Sequence, residues 1–331
     1  MQLAEASSIS QPLISKIENG AYEVDDARVA TIAAALGYPP EFFYQSGRTG
    51  WTVCMAHRKR QSMPVKRLQA IHAQVNISRM QILRLLQGVE INPPMAFPRM
   101  DIIEYDSPEE VARLARAHWR LPLGPVRSVV SVIEAAGGMI VRSRFPSDKI
   151  DAVSLWIPGS PPFFFVSEAI PGDRWRWSLT HEVGHAIMHA SPTPDQEKEA
   201  DRFASEFLMP AEEIRPELHH LTMAKLADLK ERWRVSMQAL IRRAYQVGAI
   251  TERQQRSFFM RMSQMGYRKA EPFPFPQEEP TLLRQVLSVH LTEHGYTPAE
   301  LSRAALMLED EFRRSYLPDM PEQGRHLQVV T

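Results

Sequence analysis

In this 331-residue chain, His181-Glu182-Val183-Gly184-His185 is the stretch with the plainest chemical meaning. Histidines four residues apart share one face of a helix, so both imidazoles can converge on a single divalent ion. The glutamate beside the first histidine points at the position such an ion leaves open, where it can take a proton from a water. Metal ligation by His181 and His185 and proton transfer by Glu182 are therefore the predicted roles. Zinc is the expected ion, and a catalytic zinc needs three protein ligands and one open corner.

The third ligand has to come from elsewhere. The next acids lie on a separate predicted helix, Glu197-Lys198-Glu199-Ala200-Asp201-Arg202-Phe203-Ala204. Glu199 would sit one face away from the apolar Phe203, Phe207 and Leu208, and Glu197 and Glu206 compete with it. His189 lies four residues beyond His185, about 6 Å further along the same helix. Three histidines in a straight row do not surround one tetrahedral ion, so a buried or capping role is expected for His189.

The elements that must hold these side chains are mostly helical. Helices are predicted near 172–190, 196–208, 222–232, 236–247 and 251–265, with Asp173 well placed at the start of the first. Ahead of them, Met139 to Arg142, Ala152 to Ile157 and Phe163 to Val166 read as three short strands punctuated by proline and glycine. Ser107-Pro108-Glu109-Glu110 has the form of a helix start, with a capping serine, proline in the first turn and an acid to close the box. A further helix is predicted near 125–136. Pro272, Pro274, Pro276 and Pro280 mark a linker, and a helical tail follows at about 281–317.

At this point the residues resemble a known family. Leu179-Thr180-His181-Glu182-Val183-Gly184-His185, then Glu199-Ala200-Asp201-Arg202-Phe203-Ala204 and Leu208-Met209-Pro210, are similar to the signature of the ImmA/IrrE zinc metallopeptidases. The resemblance runs over about 105–265. It implies Glu199 as the third zinc ligand and Glu182 as the catalytic base. It implies an α+β fold, mostly α: a gluzincin-like metallopeptidase domain in which the active helix packs on a small β-sheet. It also implies a protein substrate, a helix-turn-helix repressor whose cleavage switches on stress-response or mobile-element genes.

The N-terminus carries a second resemblance. Leu3-Ala4-Glu5-Ala6-Ser7 and Ser10-Gln11-Pro12-Leu13-Ile14-Ser15-Lys16-Ile17-Glu18-Asn19-Gly20 are similar to helices two and three of an XRE-type helix-turn-helix, a partial one in which the usual first helix is missing. In that arrangement Gln11, Ser15 and Lys16 would lie near a DNA groove or backbone. Against DNA, residues 1–45 hold only Lys16 and Arg28 beside six acids. Residues 46–99 reverse the balance, with nine basic residues, among them Arg48, Arg58, Lys59, Arg60, Arg84 and Arg99, and one acid, Glu90. A helix over 65–89 with an apolar stripe is predicted there, read as a linker whose arginines are solvated or paired.

The expected organisation is a partial helix-turn-helix over 1–45, a basic linker helix over 46–99, the peptidase-like domain over 100–270 and a helical tail over 271–331. With 39 basic and 39 acidic residues the chain is no polycation. A single cysteine, Cys54, excludes an internal disulfide framework and a cysteine-based zinc knuckle. No apolar run approaches a membrane span and no signal peptide is visible, so a cytoplasmic protein without membrane contact is expected. Three functions are weighed: a site-specific metallopeptidase, a DNA-binding regulator whose peptidase-like domain senses a signal, and an interaction protein with structural zinc.

Overall fold

The structure, a computed structural model, describes residues 2–45, 64–191 and 193–318. Four of the nine basic residues of the 46–99 stretch (Arg48, Arg58, Lys59 and Arg60) and Cys54 fall outside the described residues. The described chain divides into two compact units that do not follow chain order. The larger comprises residues 64–76 and 91–283, and the smaller comprises 2–45, 77–90 and 284–318.

The larger unit is built around one small sheet with a long helix packed against it. Strands β1 (Met139–Ser143), β2 (Ala152–Leu155) and β3 (Phe163–Ser167) form a sheet of order β1-β3-β2. The central β3 pairs parallel with β1 and antiparallel with β2. Every residue of β3 is buried, which explains its unbroken Phe-Phe-Phe-Val run: a central strand covered on both faces has no polar side. The helix Gly172–Met188, α7, lies against β2 and β3 and buries Trp175, Leu179, Val183 and Ile187.

Two more helices complete the layer. Helix α5 (Pro108–His118) begins where the sequence predicts, with Ser107 Oγ accepting from the Glu110 amide at 3.2 Å. It packs on α8 (Gln196–Leu208), which packs in turn on α7. A Cβ at Gly184 of α7 would stand 3.0 Å from the Phe203 ring of α8, and that missing methyl lets the two helices approach. At the start of α7, a Cβ at Gly172 would collide with the Phe275 carbonyl oxygen. The proline-rich stretch therefore presses directly on the helix backbone.

Lys230 is a buried charge of this unit with its counter-charges in place. Lys230 Nζ donates to Asp173 at 2.6 Å and to Glu271 at 2.9 Å, and Glu271 also accepts from the Met237 and Gln238 amides at 2.7 and 3.1 Å. Removing one partner of such a set leaves a buried ion unsatisfied, which costs several times what the set contributes.

The smaller unit includes α1 (Gln2–Ser7), α2 (Gln11–Glu18) and α3 (Asp26–Leu36). Asp25 caps α3 by accepting from the Arg28 amide at 2.8 Å, and Gly37 ends it at φ +74°. The helix Val65–Leu85, α4, lends its last residues to this unit. There the C-terminal helices hold it: His290 Nε2 donates to the Leu85 carbonyl at 2.6 Å and Arg84 Nε to the Ala304 carbonyl at 2.5 Å.

Among the described residues, one tight turn recurs at Ser8, Arg234 and Leu306. Ser8 (φ +56°) separates α1 from α2; Arg234 (φ +54°) separates α10 (Met223–Trp233) from α11 (Met237–Gln246); Leu306 (φ +55°) separates α14 (Pro298–Ala304) from α15 (Glu309–Tyr316). In each case the second helix starts three residues after the left-handed residue. Leu3, Leu229 and Leu301 stand five residues before it, and Ile14, Leu240 and Phe312 six after. The spacing is a shared local rule for setting two helices at an angle, and it needs no shared polar sequence.

The contact of Gly184 with Phe203 makes a clear prediction. Gly184→Val should destabilise the fold by about 1–3 kcal/mol through overpacking. Thermal unfolding checks it, and an unchanged melting temperature would show that α7 and α8 do not depend on this approach.

Candidate metal centre

Helix α7 presents His181 and His185 on one face, with their Nε2 atoms 3.0 Å apart. Helix α8 brings Glu197 to the same point: its Oε2 lies 3.7 Å from His181 Nε2 and its Oε1 lies 3.5 Å from His185 Nε2. Zinc bonded to such ligands at about 2.0–2.1 Å would want donors roughly 3.3 Å apart, so this triangle fits one face of its tetrahedron. Glu197 Oε1 is buried and makes no hydrogen bond within the described protein. A cation is the partner that would satisfy it. Among the described residues, His181, His185 and Glu197 form the group whose donor atoms converge in this way.

The expected third ligand, Glu199, does not face this pair. Its Oε2 accepts from His189 Nε2 at 2.9 Å and from Thr193 Oγ1 at 3.0 Å. The reason lies in helix geometry. Residues two apart point to nearly opposite sides, whereas residues four apart share a stripe. Glu197 and Asp201 share the stripe that meets the imidazoles, while Glu199 shares a stripe with Phe203, which is fixed against Gly184. Asp201 Oδ1 lies 3.0 Å from His181 Nδ1 and so orients that ring from behind. The spacing Glu197-x-x-x-Asp201 repeats the pitch of His181-x-x-x-His185 and was the available sequence signal.

The other candidates fall elsewhere. Glu206 is committed to Arg243 and, at 3.4 Å, to Arg113. His189 is buried at the C-cap of α7, with Nδ1 3.0 Å from His185 Nδ1. Glu182 is 6% exposed, and its Oε2 accepts from Ser154 Oγ at 2.5 Å. Ser154 belongs to the edge strand β2 and had no signal in the sequence; only the packing of α7 on the sheet brings it to Glu182. Gln11 and Lys16 are exposed on α2 and Ser15 is half-buried, all far in sequence from this centre. Of the basic residues described between 64 and 99, Arg84 is used at a helix end, and Arg99 stacks 3.6 Å over Trp156 and donates to the Ala186 carbonyl.

The electrostatics are those of a cation site. Burial alone would lower His181, but Asp201, Glu197 and Glu182 outweigh it and raise its pKa to about 10. Burial would raise Glu197, but the His181 and His185 rings hold it well below the usual carboxylate range. Burial and the neighbouring His185 lower His189.

Sequence comparison agrees with this geometry. Residues 133–245 match the family model of the IrrE N-terminal-like domain, a metallopeptidase-like domain. Residues 2–43 match the helix-turn-helix model, a DNA-binding class. The two matches together are those of an ImmA/IrrE protein with an N-terminal helix-turn-helix of XRE type. No curated protein matches the chain. Among the described residues, no helix is long and apolar enough to cross a membrane.

Metal uptake should displace a proton, because a ligating imidazole must be neutral. His181, raised from 6.5 to about 10, is cationic at pH 8 when no metal is bound. Its charge stabilises the metal-free fold below pH 6.5, and that contribution is lost as pH rises through about 10. Zinc titration of chelated protein at pH 8 should therefore release about one proton per site. Calorimetry in buffers of different ionisation enthalpy measures it, and zero release would contradict a raised His181 among the ligands.

Proposed function

We propose that this chain is a zinc-dependent, site-specific endopeptidase with His181, His185 and Glu197 as metal ligands and Glu182 as general base. The observation that carries the reading is the meeting of two imidazoles and a buried, otherwise unbonded carboxylate oxygen at one point, beside an acid held by hydrogen bond. Zinc in that position would polarise a scissile carbonyl and make a water more acidic. Glu182 would act as the base that accepts a proton from the attacking water and passes it to the leaving amine. The Ser154 hydroxyl fixes Glu182 Oε2, so the proton is handled at Oε1. The substrate class proposed is a helix-turn-helix repressor, cleaved once to release stress-response or mobile-element genes. This rests on the family resemblance and on the pairing of a peptidase-like domain with a helix-turn-helix in one chain. The site of action proposed is the cytoplasm.

One observation favours a second reading, a DNA-binding regulator whose peptidase-like domain acts as a sensor. Gln11 and Lys16 are exposed on α2, inside the span similar to a helix-turn-helix, and a recognition helix would carry its contacts on such a side. The acids that outnumber the bases across residues 2–45 oppose phosphate contact.

The two readings separate cleanly. Glu182→Gln should keep zinc and lower cleavage of a co-expressed repressor by about 10²–10⁴-fold. Retained cleavage would remove Glu182 from the mechanism. A gel-shift titration at low salt on DNA upstream of the gene tests the regulator: no retardation sinks it.

A further inference from the structure

We infer that His189 and Glu199 form an outer relay that sets the tautomer and orientation of His185 for the metal, which assigns Glu199 a positioning role. The inference rests on the metal-site reading above. His185 Nε2 faces His181 and Glu197, so it must present a lone pair there. A neutral imidazole then carries its hydrogen on Nδ1. That hydrogen meets His189 Nδ1 at 3.0 Å. His189 must accept at Nδ1, which places its own hydrogen on Nε2, and Nε2 stands 2.9 Å from Glu199 Oε2. The same oxygen accepts from Thr193 Oγ1 at 3.0 Å. Each link fixes the direction of the next, and a carboxylate ends the chain.

The two ligand histidines are thus supported alike but over different spans. His181 meets Asp201 directly, and His185 reaches its acid through a second imidazole. The span differs because His185 lies one turn deeper along α7 than His181, opposite the Glu199–Phe203 stripe of α8. Both imidazoles of the longer relay are buried, His185 at 2% and His189 at 3% exposure, so water does not replace a lost link. The relay also joins the end of α7 to the start of α8, where Glu197 is carried. It therefore ties the placement of one ligand to that of another.

Outer hydrogen-bond partners of ligand histidines typically change metal affinity by about 10–100-fold. The test uses full-length protein, zinc ion in competition with a chromogenic chelator, and the visible absorption of the cobalt-substituted protein. His189→Phe keeps a ring but neither hydrogen bond. It should weaken zinc by about 10–100-fold and shift the cobalt bands. His189→Gln should recover most of the affinity, since its carbonyl accepts from His185 and its amide donates to Glu199. Glu199→Gln, at a partly exposed position, should fold normally and weaken zinc several-fold, so the idea remains testable if the phenylalanine variant does not fold. Glu197→Gln serves as the ligand control and should lose zinc far more severely. Wild-type affinity and cobalt spectrum in the His189 and Glu199 variants, with zinc lost in Glu197→Gln, would overturn the relay. Wild-type zinc binding in Glu197→Gln would instead overturn the metal-site reading itself.

Discussion

The close approach of α7 and α8 is the constraint on which the site depends. Helix α7 carries both imidazoles and Glu182, and α8 carries Glu197, Glu199 and Asp201, so no ligand set exists until the two are in contact. Gly184 sits between the histidines where a side chain would press on Phe203. The same contact fixes the rotation of α8 about its axis, and that rotation decides which acid meets the metal position. A local packing fact in the core thus selects the chemistry several ångströms away.

Charge balance is the second constraint. Glu182, Glu197, Glu199 and Asp201 surround three imidazoles, with Glu182 buried and the other three acids partly buried. Burying that many carboxylates is unfavourable unless cations offset them. In the absence of metal the offset falls to a proton on His181, whose pKa rises accordingly. The arrangement favours whatever cation fills it best, and His₂Glu donors suit zinc. The sheet contributes in a quieter way: its edge strand supplies Ser154, whose hydroxyl holds one oxygen of Glu182.

The smaller unit shows how little sequence a helix-turn-helix needs. Turns with a left-handed residue near +55° join pairs of helices at Ser8 and Leu306 there, and the same turn stands at Arg234 in the larger unit. None of the three residues is glycine, although each pays strain of about 1–2 kcal/mol for that conformation. The apolar residues on either side recur at fixed spacing and carry the fold, while the exposed positions vary freely. Such a turn alone says nothing about a partner; the charges displayed around it do. Residues after 283 share this unit and clasp the end of α4, a long-range pairing that no local pattern announces.

Short-range rules made much of this protein legible in its sequence. The three strands, the capped start at Ser107 and the helices of the peptidase-like region follow from periodicity, proline and glycine placement. So do the pairing of His181 with His185 and the position of Glu182, because a helix fixes residues four apart. Tertiary structure alone set Glu197 rather than Glu199 beside the two imidazoles, since that placement turns on how α8 is rotated against α7 and not on either residue's type. It alone brought Ser154 to Glu182, joined His189 to Glu199 and drew the C-terminal helices to the end of α4. Each of these depends on contacts between elements distant in the chain or on the rotation of one element about its own axis. A one-dimensional pattern specifies a helix's faces but not which face its neighbour will meet.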